Sequence, residues 1–235
     1  MIKKYLLICV YLFAVANLAG QSSFRRVKQP PRVMQAFKVC TDFRNMLAKD
    51  LNFDRAFEAT FVKDPARRRA IAIADTQFSA DDLAQIDDAT VIGLYKDATQ
   101  LYILILPVVF LVSDEQKAEL LTPSIQAIFD RTPPKDPGKI REFAAQLKRD
   151  VDEVRTHIDK VAARNPTVAK TFQGYKTNFS KRIELPNRVV KPLTAYSKGH
   201  VLRVEEPYYQ IDDCALIRED GKMRLIGYTF LRMRG

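Results

Sequence analysis

The feature that most constrains the fold is an uninterrupted run of twelve apolar residues, 101–112 (LYILILPVVFLV), in the middle of the chain. A membrane-spanning helix needs roughly 20 apolar residues, and a run of about 10–14 is more often a buried core segment. Asp97 lies just before the run and Asp114 just after it, and both charges would be costly in hydrocarbon. The run therefore predicts the buried axis of a soluble domain, and we expect no membrane span in the mature chain.

This central segment is predicted to be helical. Apolar residues recur at near-helical spacing from about Asp88, and the segment becomes apolar on all sides further along. Pro107 removes one backbone donor, so we expect it to kink the helix or to end it nearby. A buried strand over 101–106 is the alternative, because periodicity does not separate strand from helix in a short apolar run.

The amino terminus predicts export. Lys3 and Lys4 precede a 12-residue apolar segment, 5–16, which small residues follow, and this is the pattern of a secretory signal peptide over 1–20. Residues 18–21 (LAGQ) resemble a bacterial lipoprotein cleavage box, except that Gln21 stands where the lipid-bearing cysteine is required. We therefore expect a soluble periplasmic or extracellular bacterial protein. An uncleaved amino-terminal anchor is the alternative.

Cysteine content points to a disulfide bond. Removal of the signal peptide takes Cys9 with it and leaves two cysteines, Cys40 and Cys214. An even pair in an oxidising compartment is a disulfide candidate. Cys40 lies on the apolar face of a helix pattern, and Cys214 points the same way as core residues of a hairpin pattern. The two are predicted to bond, with two buried free thiols as the alternative.

Helical spacing covers residues 33–184, and it predicts a bundle of about five to seven helices. A basic, proline-bearing lead-in over 21–32 precedes the bundle. The longest continuous apolar stripes occupy 33–51 and 139–164, and we expect both helices to pack against the central segment. We also expect Asp54 to cap the second helix.

From residue 185 onward, Val, Ile, Tyr and Thr become frequent and helical spacing disappears. The pair Asp220–Gly221 favours a type I′ turn, in which Glu219 faces Lys222 and Cys214 faces Gly227. The predicted fold class is therefore mainly α with a small C-terminal antiparallel hairpin or sheet (α+β). We expect residues 185–235 to pack on a multi-helix bundle that surrounds a buried central helix, as one structural unit.

The formal charge of +10 allows contact with an anionic glycan or an envelope surface. The densest basic cluster is Arg67–Arg69, and the lead-in adds four basic residues, Arg25, Arg26, Lys28 and Arg32. Three consecutive arginines point in different directions around a helix, so they form a poor phosphate clamp, and we interpret them as a solvated helix start. A polyanion binder is a secondary hypothesis that requires both segments to share one face. No specific nucleic-acid partner is expected.

A helical stripe of Asp150, Glu153 and His157 is one candidate site. Its spacing of i, i+3 and i+7 suits a divalent metal or acid–base work. Basic residues nearby in sequence offer ion pairs instead, so a solvated ion-pair face is the favoured interpretation.

A second candidate site surrounds Pro207, where carboxylates and tyrosines meet at a strand corner. Such a cluster suits recognition of a carbohydrate or a cation. The favoured alternative is a polar turn whose tyrosines rest on the core. The members of the cluster are Glu205, Glu206, Tyr208, Tyr209, Asp212 and Asp213.

Catalytic motifs are absent from the sequence. It contains no P-loop, dinucleotide-binding, zinc-protease or nucleophile-elbow motif and no CxxC pair. A secreted enzyme that uses His157 or His200 with neighbouring carboxylates is the alternative to a non-catalytic protein. We expect no cofactor. The sequence predicts an exported binding or envelope-associated protein, with an apolar or tyrosine-lined pocket near Tyr208 and Tyr209.

Overall fold

The computed structural model describes residues 27–76, 78–181, 183–185, 187–198, 202–204 and 206–228. Within these ranges, helices are followed by two small antiparallel sheets, which confirms the predicted fold class. The predicted signal peptide, and residues 21–26 of the predicted lead-in, lie outside the described residues.

The described helices are α1 (Pro31–Asp50), α2 (Phe53–Thr60), α3 (Pro65–Asp75), α4 (Ala80–Leu83), α5 (Asp88–Phe110), α6 (Asp114–Leu120), α7 (Pro123–Phe129), α8 (Pro137–Arg164) and α9 (Pro166–Ser180). The described strands are β1 (Tyr196–Lys198), β2 (Leu202–Val204), β3 (Tyr209–Ile211), β4 (Cys214–Glu219) and β5 (Lys222–Tyr228). The helices outnumber the expected five to seven because three of them, α4, α6 and α7, are only four to seven residues long.

Helix starts are set by polar side chains that accept hydrogen bonds from the first turn. Ser79 and Ser113 each form a capping box at the start of α4 and α6. The expectation that Asp54 caps the second helix is wrong. Asn52, two residues earlier, accepts the backbone N–H of Arg55 at 2.9 Å and begins α2.

The central segment forms α5, which packs most closely against α8 and α3 and then against α2. Residues 101–106 are helical, so the strand alternative is wrong, and Pro107 is followed by the helix end at Phe110. Among the described helices, α5 alone has the length and composition to cross a membrane, and half of its most apolar window is buried inside the protein.

Two expectations about the central segment are corrected. Val109, Phe110 and Leu111 are 42%, 53% and 49% exposed, so the segment is not buried on all sides. The helix that begins at Pro31, α1, packs mainly on α9, α2 and the three-stranded sheet rather than on α5. The expected contact between α5 and the long helix α8 is confirmed.

The predicted hairpin is formed by β4 and β5, with positive φ at both Asp220 and Gly221. Its register agrees with prediction near the turn but shifts at the far end, where Cys214 pairs with Tyr228 rather than with Gly227. A bulge leaves Ile226 as one extra residue on β5 and causes the shift.

The outer edge of β5 is covered by the segment that follows α2. Phe61 forms a parallel bridge with Leu225, and the backbone N–H of Val62 donates to the Leu225 carbonyl at 3.0 Å. The other edge of β4 pairs with β3. Each edge of the hairpin is therefore partly paired with backbone of the same chain, which shortens the open edge that could act as a template for aggregation.

A disulfide bond joins Cys40 of α1 to Cys214 of β4. The two Cα atoms are 5.9 Å apart, and both side chains are fully buried. The bond connects the first described helix to the C-terminal sheet, as the sequence pattern predicted.

Candidate functional site

A cleft of about 480 Å³, here called the aromatic cleft, opens beside the central helix. Its volume falls within the range of roughly 300–1,000 Å³ that is usual for small-molecule sites. Aromatic side chains dominate its walls: Phe53, Phe78, Tyr95, Tyr102, Phe129, Phe143, Tyr196 and Tyr228. The described part of the chain thus contains a concave, largely apolar site.

One long wall of the aromatic cleft is a single face of α5. Tyr95, Ala98, Tyr102 and Ile105 line it at spacings of three and four residues, which places them on one stripe of the helix. Within this wall Tyr95 is buried, Tyr102 is half-buried and Ala98 is exposed. The helix that the sequence predicted to be buried all round therefore turns one side toward an open cleft.

A second wall of the cleft comes from α7, the loop after it, and α8. Ile128 and Phe129 of α7 and Phe143 and Leu147 of α8 contribute apolar side chains. The ring of Phe143 packs edge-on against Phe78, with centroids 6.0 Å apart. Segments from several distant parts of the chain therefore complete the cleft.

A carboxylate and two hydroxyl groups form a hydrogen-bonded group in the cleft. The phenol of Tyr95 is hydrogen-bonded to the side chains of Asp75 and Thr99. Burial, followed by the nearby negative charge of Asp75, raises the pKa of Tyr95 well above its usual value. The phenol therefore stays protonated at physiological pH and donates to the carboxylate.

Arg131 lies on the cleft wall, and its charge is balanced within the protein. Its guanidinium forms an ion pair with Asp150, which is only 1% exposed. The other carboxylate oxygen of Asp150 accepts the Gln146 Nε2–H at 2.7 Å. A buried carboxylate with these two donors holds the arginine in place.

The candidate stripe on α8 does not converge on a metal site. Asp150 faces Arg131, while Nε2 of His157 lies 3.1 Å from the Glu119 carbonyl and Glu153 is exposed. No group of three metal-ligating side chains occurs among the described residues. The interpretation as a solvated ion-pair face is wrong for Asp150, because this residue lies on the buried face of α8 and is only 1% exposed.

The cluster around Pro207 disperses in the structure. Tyr208 and Tyr209 are 9% and 6% exposed, so these tyrosines rest on the core, as the alternative interpretation predicted. The backbone of Tyr208 bridges Leu193, and its ring lies 5.2 Å from that of Tyr196. Neither Tyr208 nor Tyr209 lines the aromatic cleft, although Tyr196 does.

The acidic members of that cluster have separate surroundings. Glu206 forms an ion pair with Arg67 at 2.8 Å, and Asp212 forms one with the buried Arg44. Asp213 is half-buried in the turn between β3 and β4. Glu205 and His200 lie outside the described residues.

The arginine cluster of α3 is structural rather than solvated. Arg67, Arg68 and Arg69 form ion pairs with Glu206, Glu58 and Asp88 at 2.8, 2.9 and 2.7 Å respectively. The Arg68 guanidinium also lies 4.9 Å above the centre of the Phe57 ring. The three side chains therefore connect α3 to three other parts of the chain, which corrects the interpretation as a solvated helix start.

The chain has no significant match among protein-family models, curated proteins or solved structures. The function of the aromatic cleft must therefore be inferred from its own geometry and chemistry.

Proposed function

We propose that the protein is an exported, non-catalytic binding protein whose aromatic cleft holds a small organic molecule. The observation that carries this proposal is the combination of volume, about 480 Å³, with predominantly apolar walls and few polar side chains. Ligand sites are typically concave and mostly apolar, with a small number of polar groups that orient the ligand. In the cleft these groups are Asp75, Thr76, Thr99 and Arg131.

The polar groups of the cleft support binding rather than catalysis. Neither histidine nor cysteine occurs among its described lining residues, and these are the commonest general bases and thiol nucleophiles. Asp75 accepts a hydrogen bond from a phenol that burial keeps protonated, and Arg131 is ion-paired with Asp150. The groups are therefore arranged to orient a ligand.

Two observations support export as a soluble protein. The first is the charged and apolar pattern of residues 1–20, which is typical of a cleaved signal peptide. The second is the bond between Cys40 and Cys214, because structural disulfides persist in oxidising compartments and are rare in the cytosol. We propose that the mature chain works in the periplasm or outside the cell without a membrane span.

Binding of N-phenyl-1-naphthylamine, a neutral dye whose fluorescence rises in apolar surroundings, tests the proposal. Ala98 is an exposed residue on the α5 wall, so Ala98→Trp fills the cleft without replacing a core side chain. We expect the wild-type protein to enhance the fluorescence. We expect Ala98→Trp to weaken binding by at least about tenfold, which corresponds to ~1.4 kcal/mol.

The matched control is Ala145→Trp, the same substitution at an exposed helical alanine of α8 that does not line the cleft. It should bind the dye as the wild type does. The proposal is wrong if the wild type gives no enhancement, or if the two tryptophan variants bind the dye equally well.

A further inference from the structure

We infer that a basic surface beside the start of α1, here called the docking surface, holds the protein against an anionic lipid bilayer. The surface is formed by two segments, residues 27–34 and 188–193, which are far apart in the sequence. None of the residues in these two segments lines the aromatic cleft. The inference therefore goes beyond the proposed small-molecule site and does not depend on it.

A buried glutamine joins the two segments. Gln29 is 7% exposed, and its side-chain amide donates to the Arg188 carbonyl at 2.7 Å and accepts the backbone N–H of Val190 at 2.9 Å. Further along the second segment, the backbones of Leu193 and Tyr208 exchange two hydrogen bonds, at 2.8 and 3.1 Å. The two segments are therefore held to each other and to the C-terminal part of the fold.

The joined segments carry positive charge. Their four cations are all exposed, and none of them forms an ion pair with another described residue: Lys28, Arg32, Arg188 and Lys191. The sequence has no acidic residue from position 1 to 41 or from position 185 to 204. The electrostatic potential at the docking surface is therefore positive, and it attracts anions.

The described acids that border these segments in sequence do not offset this charge. Asp42 forms an ion pair with Lys38 at 2.6 Å, and Glu206 forms one with Arg67 at 2.8 Å. Glu184 is exposed, and its single carboxylate balances only one of the four cations.

The amino terminus of α1 lies within the first segment and adds to the positive potential. The helix begins at Pro31, its first turn contains no acidic residue, and no described side chain caps it. The free backbone N–H groups at the start of a helix attract anions, including phosphate groups. These groups and the guanidinium of Arg32, in the same turn, both favour the phosphate of a lipid head group.

Exposed apolar side chains lie among these cations. Seven large apolar side chains are exposed in the described residues, and four of them belong to the joined segments, at 38–47% exposure: Val27, Met34, Val189 and Leu193. An acidic glycan would pair with the cations but would leave these side chains in water. A bilayer offers anionic head groups and hydrocarbon together, and peripheral proteins bind it through basic and apolar groups in combination. The combination favours lipid over glycan.

The remaining exposed apolar side chains have different surroundings. Val109, Phe110 and Leu111 lie at the end of α5, and the next charged residues in the sequence are Asp114 and Glu115. An anionic bilayer repels these carboxylates. The end of α5 therefore provides an internal control for apolar exposure without positive charge.

Sedimentation with sucrose-loaded vesicles tests the inference. The vesicles are made of phosphatidylcholine alone or of phosphatidylcholine mixed with phosphatidylglycerol. The protein is purified without its predicted signal peptide, because the apolar residues 5–16 would bind lipid themselves. We expect binding to the anionic vesicles to be at least about tenfold tighter than to the neutral vesicles, and to weaken as salt is added.

Arg32→Gln combined with Lys191→Gln removes one cation from each segment. We expect this double variant to bind the anionic vesicles at least about tenfold more weakly, because each basic residue near an anionic surface contributes roughly fivefold. The matched control is Lys139→Gln combined with Lys160→Gln, at two exposed lysines of α8. It removes the same net charge and should bind nearly as the wild type does.

Val189→Ser tests the apolar part of the docking surface, and we expect it to weaken vesicle binding by about threefold. Val109→Ser makes the same substitution at the end of α5, where the side chain is similarly exposed. This control should leave vesicle binding unchanged. Circular dichroism melting curves show that each variant is folded.

Equal binding to neutral and anionic vesicles, or equal losses in a variant and its matched control, would each overturn the inference. Binding to heparin through Arg32 and Lys191 without binding to the vesicles would identify a glycan surface instead, and the lipid proposal would be wrong. Dye binding in the aromatic cleft should be the same in all four variants. A failure of lipid docking would therefore leave the proposed binding function intact.

Discussion

Two groups of aromatic side chains meet at the central helix, and they differ in packing. Phe43, Phe53, Phe57, Phe61 and Tyr95 form a packed cluster in which every ring is at most 4% exposed and contacting rings have centroids 4.6–6.2 Å apart. In the aromatic cleft, by contrast, Tyr102, Phe129 and Phe143 are only half-buried. Phe53 and Tyr95 belong to both groups.

The difference teaches that aromatic residues alone do not distinguish a core from a binding site. In the packed cluster, Phe53, Phe57 and Phe61 follow one another at intervals of four residues along α2 and its end, so local helix geometry brings them together. The walls of the cleft come from elements that are far apart in sequence and that leave a space between them. Substitutions in the packed cluster should therefore lower stability, whereas substitutions in the walls of the cleft should mainly weaken binding.

The largest expected effect comes from Phe57→Ala in the packed cluster. A buried phenylalanine replaced by alanine costs about 3–5 kcal/mol of unfolding free energy. Phe129→Ala in the cleft should cost only about 1 kcal/mol, because a half-buried ring loses less apolar contact. Urea unfolding followed by circular dichroism measures both. Equal losses would show that the cleft wall is packed as tightly as the cluster.

A smaller effect is expected at Gly227, where an added Cβ would collide with the phenol oxygen of Tyr196. Gly227→Ala should cost about 1 kcal/mol, at the low end for overpacking, because a side-chain tip can move aside. Tyr196 lines the cleft, so dye binding should weaken as well.

The control for Gly227→Ala is Gly93→Ala on α5, where a Cβ meets nothing within 4 Å. This variant should gain roughly 0.5–1 kcal/mol from helix propensity and bind the dye normally. Unchanged binding by Gly227→Ala would mean that Tyr196 does not shape the cleft.

The smallest effect concerns Asp97, which lies on a third side of α5, near Lys148 and Asp152 of α8. Burial raises the pKa of Asp97 to about 6, above the value of about 3.9 expected in the unfolded chain. The unfolded state therefore releases the proton first, and the stability of the protein falls as the pH rises from about 4 to about 6.

Asp97→Asn removes the free-energy cost of burying the charged carboxylate. We expect it to stabilise the protein at pH 7.5 by at most about 1 kcal/mol, since partial exposure screens the charge, and to have no effect at pH 3.5. Thermal unfolding at the two pH values measures the difference, with the exposed Asp159→Asn on α8 as the control. The same stabilisation at both pH values would contradict the assigned pKa.

Much of the fold was predictable because its determinants are local in sequence. Ser113 and Gln116 form a capping box within four residues, and Asp220 and Gly221 form the hairpin turn. The disulfide followed from the orientation of Cys40 and Cys214 on their respective elements. In each case the partner lies within a turn, or the pairing is the only one possible between the two cysteines that remain outside the predicted signal peptide.

The errors have tertiary causes. The hairpin register shifts at Ile226. The next residue, Gly227, lies against Tyr196 of β1, which belongs to the separate two-stranded sheet. The arginines of α3 looked solvated because none of their acidic partners, such as Glu206, lies near them in sequence. The sequence predicted a pocket near Tyr208 rather than beside α5, because the residues that line the cleft are scattered along the chain from Phe53 to Tyr228. A stripe of Tyr95, Ala98 and Tyr102 was the one local signal.

The bond between Cys40 and Cys214 closes residues 40–214 into a covalent ring that contains α2 to α9. The proline-bearing loop between α7 and α8, which includes the exposed Thr132 and Lys135, lies within this ring. A protease that cut the loop would open the ring but would not release either piece, because the disulfide would still join them. The two walls of the cleft would therefore stay tethered to each other after a single cleavage in this loop.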